Sequence, residues 1–410
     1  MDLTDTDAVL EQSLRASYGR LLAVLASADG DIVGAEDALA DAFERALATW
    51  PERGIPANPD GWLLTAARNR RRDVWKSAAH RTSVAFDPAV HEPPPTSDPP
   101  EFDRIPDKRL QLMLVCAHPA IDKTVRTPLM LDVVLGCTAK EIALAFALPT
   151  GTLAARLGRA KSRIRDSGIS FELPDRTVLP KRIDAVRTAI YGAFAIDWHS
   201  TAPELRTSLT GESLHLAETL CTLLPDDAEA HGLAAMICLS IARLPSRYRD
   251  DVLVPLHEQD FGLWDSELLT RGEVHLRRAH QLVADGRGAL GRFQLDAAVA
   301  AVHCARRHTG STNWQSLREL HTAAQALSPT IGGAVALAVV TAEVEGPEAG
   351  LAMLDGAPNE RFQPEWAARA HLLDALGRRR EAATAYAKAI SLSPDGPTRK
   401  LLETRAAGLP

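Results

Sequence analysis

The 410-residue sequence has no apolar run approaching the roughly 20 residues that a membrane-crossing helix needs. Its first residues, MDLTDTDAVLEQ, are acidic and lack the basic segment and apolar stretch of a secretory signal. A soluble, cytoplasmic protein with no membrane association is therefore expected. Cysteine is scarce: Cys116, Cys137, Cys221, Cys238 and Cys304 are odd in number, widely spaced and free of any CxxC pair. That pattern argues against a disulfide framework and a structural zinc site, and leaves buried thiols as the expectation. Also missing are a nucleophile elbow, a phosphate loop, HExxH and paired metal-ligand spacings. His199, His257, Glu258, Asp260 and the run His303, Cys304, Arg306, Arg307, His308 could furnish an enzyme, but without such motifs they read as surface or satisfied helix residues. No catalytic activity, metal or cofactor is expected.

The formal charge of -7 is unlike that of a nucleic-acid binder until its distribution is followed along the chain. Residues 1–61 carry twelve acids against four basic residues. From Trp62 to Arg81 the balance reverses, with Arg68, Arg70, Arg71, Arg72, Lys76 and Arg81 against Asp73 alone. A second basic segment holds Arg156, Arg159, Lys161, Arg163 and Arg165. A polyanion meets these local patches, not the net charge.

Apolar residues recur at spacings of three and four with little strict alternation, which predicts an all-α protein. Its clearest break is residues 82–107, where seven prolines and six acids surround Arg104, the one Lys or Arg. Such a stretch cannot sustain a helix, and its charge keeps it extended. It separates a unit over 8–81 from a second over 108–174, and a helical block over 175–410 follows a weaker break at SFELPDRTVLPK.

In the first unit, a helix is expected from Ile32 to Trp50, with Ala35, Leu39, Ala42, Phe43, Ala46 and Trp50 on one stripe and Glu36, Asp37, Asp41 and Glu44 facing elsewhere. The next helix starts where Asn58 caps, Pro59 takes the first position and Asp60 meets the positive helix end. Leu63, Ala67 and Val74 are expected inside. Trp62, Arg68, Asn69, Arg70, Arg71, Arg72, Trp75 and Lys76 then interleave guanidinium groups with aromatics, a combination suited to phosphates and unpaired bases. The same pattern suits a solvated basic helix with core tryptophans.

The second unit has the grammar of a helix-turn-helix. Thr138 and Glu141 form a capping box for a helix from Ala139 to about Ala147, and Leu148-Pro149-Thr150-Gly151 supplies the turn. The following helix places Leu153, Leu157, Ala160 and Ile164 on one face and turns Thr152, Ala155, Arg156, Arg159, Lys161 and Arg163 toward DNA.

Together, AEDALADAFERAL, GWLLTAARNRRRDVWK and LGCTAKEIALAFALPTGTLAARLGRAKSRIRDSGI resemble domains 2 and 4 of extracytoplasmic-function RNA polymerase sigma factors, over about residues 10–172. The resemblance implies that Asp37, Asp41, Phe43 and Glu44 dock on the β′ clamp helices of core polymerase. It implies that Trp62–Lys76 opens and holds the minus-ten promoter element, and that the helix with Thr152 to Arg163 reads the minus-thirty-five element, with domain 4 near the β flap. The Pro-rich acidic stretch corresponds to the flexible linker between those domains.

The block after residue 175 resembles the tetratricopeptide-like extension of one subgroup of these factors. WAARAHLLDALGRRREAATAYAKAISLSP matches the repeat pattern at Trp366, Ala370, Leu373, Gly377, Ala382, Tyr386, Ala389 and Pro394. Weaker helix-pair echoes lie at LAETLCTLLPDDAEAHGLAAMICLSIAR and LRELHTAAQALSPTIGGAVALAVVTAE, and VLVPLHEQDFGLWDSELLTRG also fits the subgroup. FAIDW, at Phe194–Trp198, departs from its asparagine- and glycine-containing segment. The extension is expected to regulate or support sigma activity through intramolecular contact with the sigma domains. A polymerase-independent helix-turn-helix regulator with a helical sensor domain is the alternative.

Overall fold

A computed structural model describes residues 17–82, 105–146, 148–169, 179–198, 209–354 and 360–409. The fold is all-α, as the spacing predicts: the one sheet among the described residues is a two-residue hairpin, β1 (Tyr248–Arg249) with β2 (Val252–Leu253). The chain divides into two compact units, residues 1–220 and 221–410.

In the first unit α1 (residues 17–26), α2 (Ile32–Arg53) and α3 (Pro59–Thr82) share a core. The predicted stripe of α2 is entirely buried, and Leu21, Leu22, Leu25, Leu63, Leu64 and Ala67 complete the core. The Asn58 carboxamide accepts from Gly61 N at 2.9 Å, capping α3 as expected. Asp60 also fastens α3 to α1, accepting from Ser17 Oγ at 2.7 Å and pairing with Arg20 at 3.0 Å. Val74, expected inside, is 45% exposed and lies outside the core. Phe43 is 7% exposed and belongs to the core, so its ring is not on the docking surface that the resemblance gave it.

The predicted linker lies mostly outside the described residues, but its last three residues start α4 (Ile105–Cys116), with Pro106 in the first turn, where its missing N–H costs nothing. Then come α5 (Lys123–Val133), α6 (Ala139–Ala145) and α7 (Thr150–Asp166). The α6 helix stops at Ala145, before the expected Ala147, which is outside the described residues. Thr150 and Gly151, expected in the turn, open α7 instead, because Pro149 serves as its N-cap. The next helix, α8 (Leu179–Asp197), packs on α4 and α5 through Ile183, Val186, Ile190 and neighbours. It was assigned by sequence to the extension, yet it is part of the first compact unit.

The helix α9 (Leu209–Leu223) runs to the start of the second unit, which continues with α10 (Ala228–Ile241), α11 (Ser266–Ala284), α12 (Arg292–Cys304) and α13 (Arg306–Thr309). Every residue of α10 except Glu229 is buried, the pattern of a central helix. Neighbours reach it closely where side chains are smallest: a Cβ on Gly232 would meet Gln294 N at 2.6 Å, and one on Gly272 would meet Leu239 Cγ at 2.7 Å. Glu229 accepts from the backbone N–H groups of Phe293 and Gln294, both at 3.1 Å, at the positive end of α12.

Beyond lie α14 (Trp314–Leu327), α15 (Ile331–Glu345), α16 (Pro347–Leu354), α17 (Gln363–Ala375), α18 (Arg379–Leu392) and α19 (Pro397–Ala407), each packed on the next. The predicted repeat is the hairpin of α17 and α18: Ala370, Leu373, Ala382, Tyr386 and Ala389 are buried between them, Trp366 packs against the same cluster, and Gly377 turns the chain at φ 71°. Of the weaker echoes, the second is a packed helix pair, α14 with α15, and the first covers the consecutive helices α9 and α10.

Candidate nucleic-acid interface

The helix-turn-helix is built as its sequence indicates. Thr138 N donates to Glu141 Oε2 at 2.7 Å, and Glu141 N donates to Thr138 Oγ1 at 3.3 Å, closing both halves of the capping box. Behind α7, Leu153, Leu157, Ala160 and Ile164 are 1–7% exposed, while Thr152, Ala155, Arg159 and Arg163 stand in solvent and Arg156 is half-buried. Hydrogen bonds from Thr124 hold the Asp122 carboxyl below its ordinary range, and the nearby Arg156 adds a smaller effect in the same direction.

Lys161 is a correction to this face. Its ammonium bonds Glu36 Oε1 on α2 at 2.6 Å and Asp132 Oδ2 on α5 at 2.7 Å, with 13% of its side chain exposed. On a helix of this pitch Lys161 sits one residue from Ala160 on the packed side, so its four-carbon stem carries the charge to the acids and not to the groove. Burial acts to lower the Lys161 pKa, but the Asp132 and Glu36 charges outweigh it and raise the value. Burial also raises Glu36, more than the lysine beside it can reverse. One lysine shared by two half-buried carboxylates accounts for both directions.

The triad is one of several ties between the helices of the two predicted units. Gly19 packs so tightly on the end of α5 that an added Cβ would meet Val134 O at 1.8 Å. Lys108 Nζ donates to Ser27 Oγ at 3.1 Å, and Arg165 reaches Asp31 at 3.9 Å. Ser27 to Gly30 line one shared groove with Ile164, Arg165, Gly168 and Ile169. Helices that the sequence places in separate sigma-like units therefore form one body.

The basic helix α3 is less free than its composition suggests. Arg70 pairs with Asp41, and Arg71 pairs with Asp29 while donating to Leu25 O at 2.7 Å. Trp62 is half-buried, edge-on to Trp50 with ring centroids 5.5 Å apart. Arg68, Asn69, Arg72, Trp75 and Lys76 are exposed, Trp75 by 40%. Of the residues assigned to polymerase docking, Asp37 and Glu44 are exposed and Asp41 is engaged with Arg70.

All five cysteines are buried thiols. Of the candidate enzyme residues, His199 lies outside the described residues. Arg306 donates to Leu256 O and His257 O at 2.6 and 2.9 Å, Arg307 bonds Glu273 at 3.0 Å, and His257 meets Glu258 at 3.2 Å. A separate cluster escaped the sequence reading: Cys221, His231 and His275 bring one ligand atom each within 4.8 Å of one another. No spacing signal could have found it, because the three sit on α9, α10 and α11, ten and 44 residues apart.

The chain is 30% identical over 404 residues to the uncharacterized protein R00370 of Rhizobium meliloti (strain 1021), covering 95% of this chain and 93% of the relative. The chain belongs to that protein's family. Residues 182–280 match the family of unknown function DUF6596, from α8 into α11, a stretch that contains the Cys221, His231 and His275 cluster. No solved structure matches the chain. These likenesses establish kinship and leave the chemistry to be argued from the residues. No helix among the described residues is long and apolar enough to cross a membrane.

Proposed function

We propose that the chain is a sigma-type promoter-recognition factor that binds core RNA polymerase in the cytoplasm and directs transcription initiation. The observation that carries this reading is α7: a capped helix-turn-helix whose apolar face is packed while Thr152, Ala155, Arg159 and Arg163 are exposed on the opposite side. On this reading Arg156 and Arg159 contact guanine edges or phosphates of a minus-thirty-five element. The exposed Arg68, Asn69, Arg72, Trp75 and Lys76 suit a melted strand, with guanidinium groups on phosphates and an indole on a base. Asp37 and Glu44 offer the acidic surface for the β′ clamp helices, and the second unit supports or regulates this activity. No catalysis is proposed for this activity.

One observation favours a second reading. Arg70 and Arg71 are committed to Asp41 and Asp29, and Trp62 to Trp50, so part of the strand-melting face is structural. A duplex-binding regulator independent of polymerase needs only α7. The test is transcription by core polymerase from a promoter pool, with and without the purified full-length chain. Specific initiation that depends on the chain, and that charge reversal at Asp37 and Glu44 abolishes through lost polymerase binding, supports the sigma reading. Promoter binding by a chain that does not bind core moves the assignment to the regulator.

A further inference from the structure

We propose that Cys221, His231 and His275 form a zinc site in the second unit, independent of the promoter-recognition reading. The three side chains come from different helices and present a thiol and two imidazole nitrogens within 4.8 Å of one another. Cysteine and histidine are the ligand types that Zn2+ prefers.

The hydrogen bonds already arrange the donors. His231 Nε2 lies 3.2 Å from Pro225 O, which can only accept, so this nitrogen carries the proton of the neutral ring. The lone pair is then on Nδ1, which faces His275 Nδ1 at 2.9 Å. A histidine ligand whose other nitrogen donates to a backbone carbonyl is the usual second layer of a metal site, fixing both tautomer and ring orientation. In this contact His275 Nδ1–H is the donor. Coordination moves that proton to His275 Nε2, releases the Cys221 thiol proton to solvent, and leaves three lone pairs directed at one point. A tetrahedral Zn2+ holds two imidazole nitrogens about 3.3 Å apart and sulfur about 3.6 Å from nitrogen. Binding therefore requires the side chains to rotate from the observed spacing to those values.

The surroundings fit an ion that enters from solvent and stays. Cys221 and His231 are buried, while His275 is half-buried and marks the open side. Asp226, between Pro225 and Asp227, stands beside the cluster, where its carboxylate pairs with Arg278 at 2.9 Å and Arg287 at 2.5 Å. Three protein ligands leave a fourth position for water or a small exogenous ligand, the arrangement of an open zinc site and not a closed four-ligand one. The ion would join α10 and α11 to the last turn of α9.

The test uses the full chain, stripped with chelator under reducing conditions and titrated with Co2+. One equivalent is expected to produce tetrahedral d–d bands and a thiolate-to-cobalt charge-transfer band, both bleached by Zn2+. Cys221→Ser, nearly isosteric, should lose the charge-transfer band. His275→Asn, on the open side, should weaken Zn2+ binding by at least the ~100-fold that loss of an outer-layer partner costs. Circular dichroism checks that each variant keeps its helix content. X-ray absorption of the zinc-loaded wild type should show one sulfur and two imidazoles, a readout that needs no variant. Weak octahedral Co2+ spectra in the wild type, or equal binding by wild type and both folded variants, would overturn the proposal.

Discussion

The helices α3 and α7 carry similar runs of positive charge, yet the fold uses them differently. On α7 the apolar residues fall on one stripe, which packs and leaves Arg159 and Arg163 in solvent. On α3 the arginines are consecutive, so the helix pitch distributes them around the axis and points Arg70 and Arg71 at acids of the neighbouring segments. Charge in a sequence is therefore a statement about composition. Whether it is available to a partner depends on which acids the fold brings within reach.

The largest effect expected from this difference is on DNA binding. The double variant Arg156→Ala, Arg159→Ala should lose about 1–3 kcal/mol per broken base or phosphate contact, with the salt dependence of binding reduced by about one unit per lost phosphate contact. Arg70→Ala should leave that salt dependence nearly unchanged. Fluorescence anisotropy on promoter duplexes across a salt series measures both, and equal slopes for the two variants would erase the distinction.

Next in size is Lys161→Ala, which leaves Glu36 and Asp132 facing each other without their cation. A loss of about 3 kcal/mol in unfolding free energy is expected, in line with removal of one partner from a buried pair. If Lys161 instead binds DNA, the variant will keep its denaturation midpoint and lose promoter affinity.

Arg71→Ala should cost less, about 1–2 kcal/mol, because it removes one backbone hydrogen bond and one partly buried ion pair. Its neighbour Arg72, which is exposed, should show no change in chemical denaturation on substitution by alanine. A midpoint shift for Arg72 as large as that for Arg71 would mean that the pairs on α3 do not hold it in place.

The smallest effect is a difference in alkaline behaviour. The Lys161 pKa is raised in the fold, so the stability it contributes is complete below lysine's ordinary 10.5 and is lost as pH rises through the raised value. Denaturation at rising pH should therefore weaken the tie of α7 to α2, and Lys161→Met should remove the alkaline slope. A slope that persists in this variant would assign it to another group.

Much of the local structure was legible from the residues. The Thr138 and Glu141 box, the Asn58 cap, the stripes of α2 and α7 and the α17–α18 repeat all depend on neighbours within one or two helical turns, which spacing reports directly. Legibility failed where a residue's fate depends on a distant partner. Lys161 has the same sequence context as Arg159 and Arg163, and nothing nearby marks it as the counter-ion of Glu36, 125 residues away. Val74 continues the apolar pattern of α3, yet it is 45% exposed. The boundary before α8 was placed at a proline-containing break, but the apolar face of α8 packs back on α4 and α5.

By itself, then, the sequence determined the helical class, the positions of caps and turns, and the paired surface of each amphipathic helix, because these follow from the 3.6-residue period and from short-range hydrogen bonding. Tertiary structure alone decided which charges were paired, that the helices of residues 17–82 and 105–169 pack in one compact unit, and that Cys221, His231 and His275 meet. Those outcomes come from packing between helices far apart in the chain, where small residues such as Gly19, Gly232 and Gly272 allow the backbones to approach.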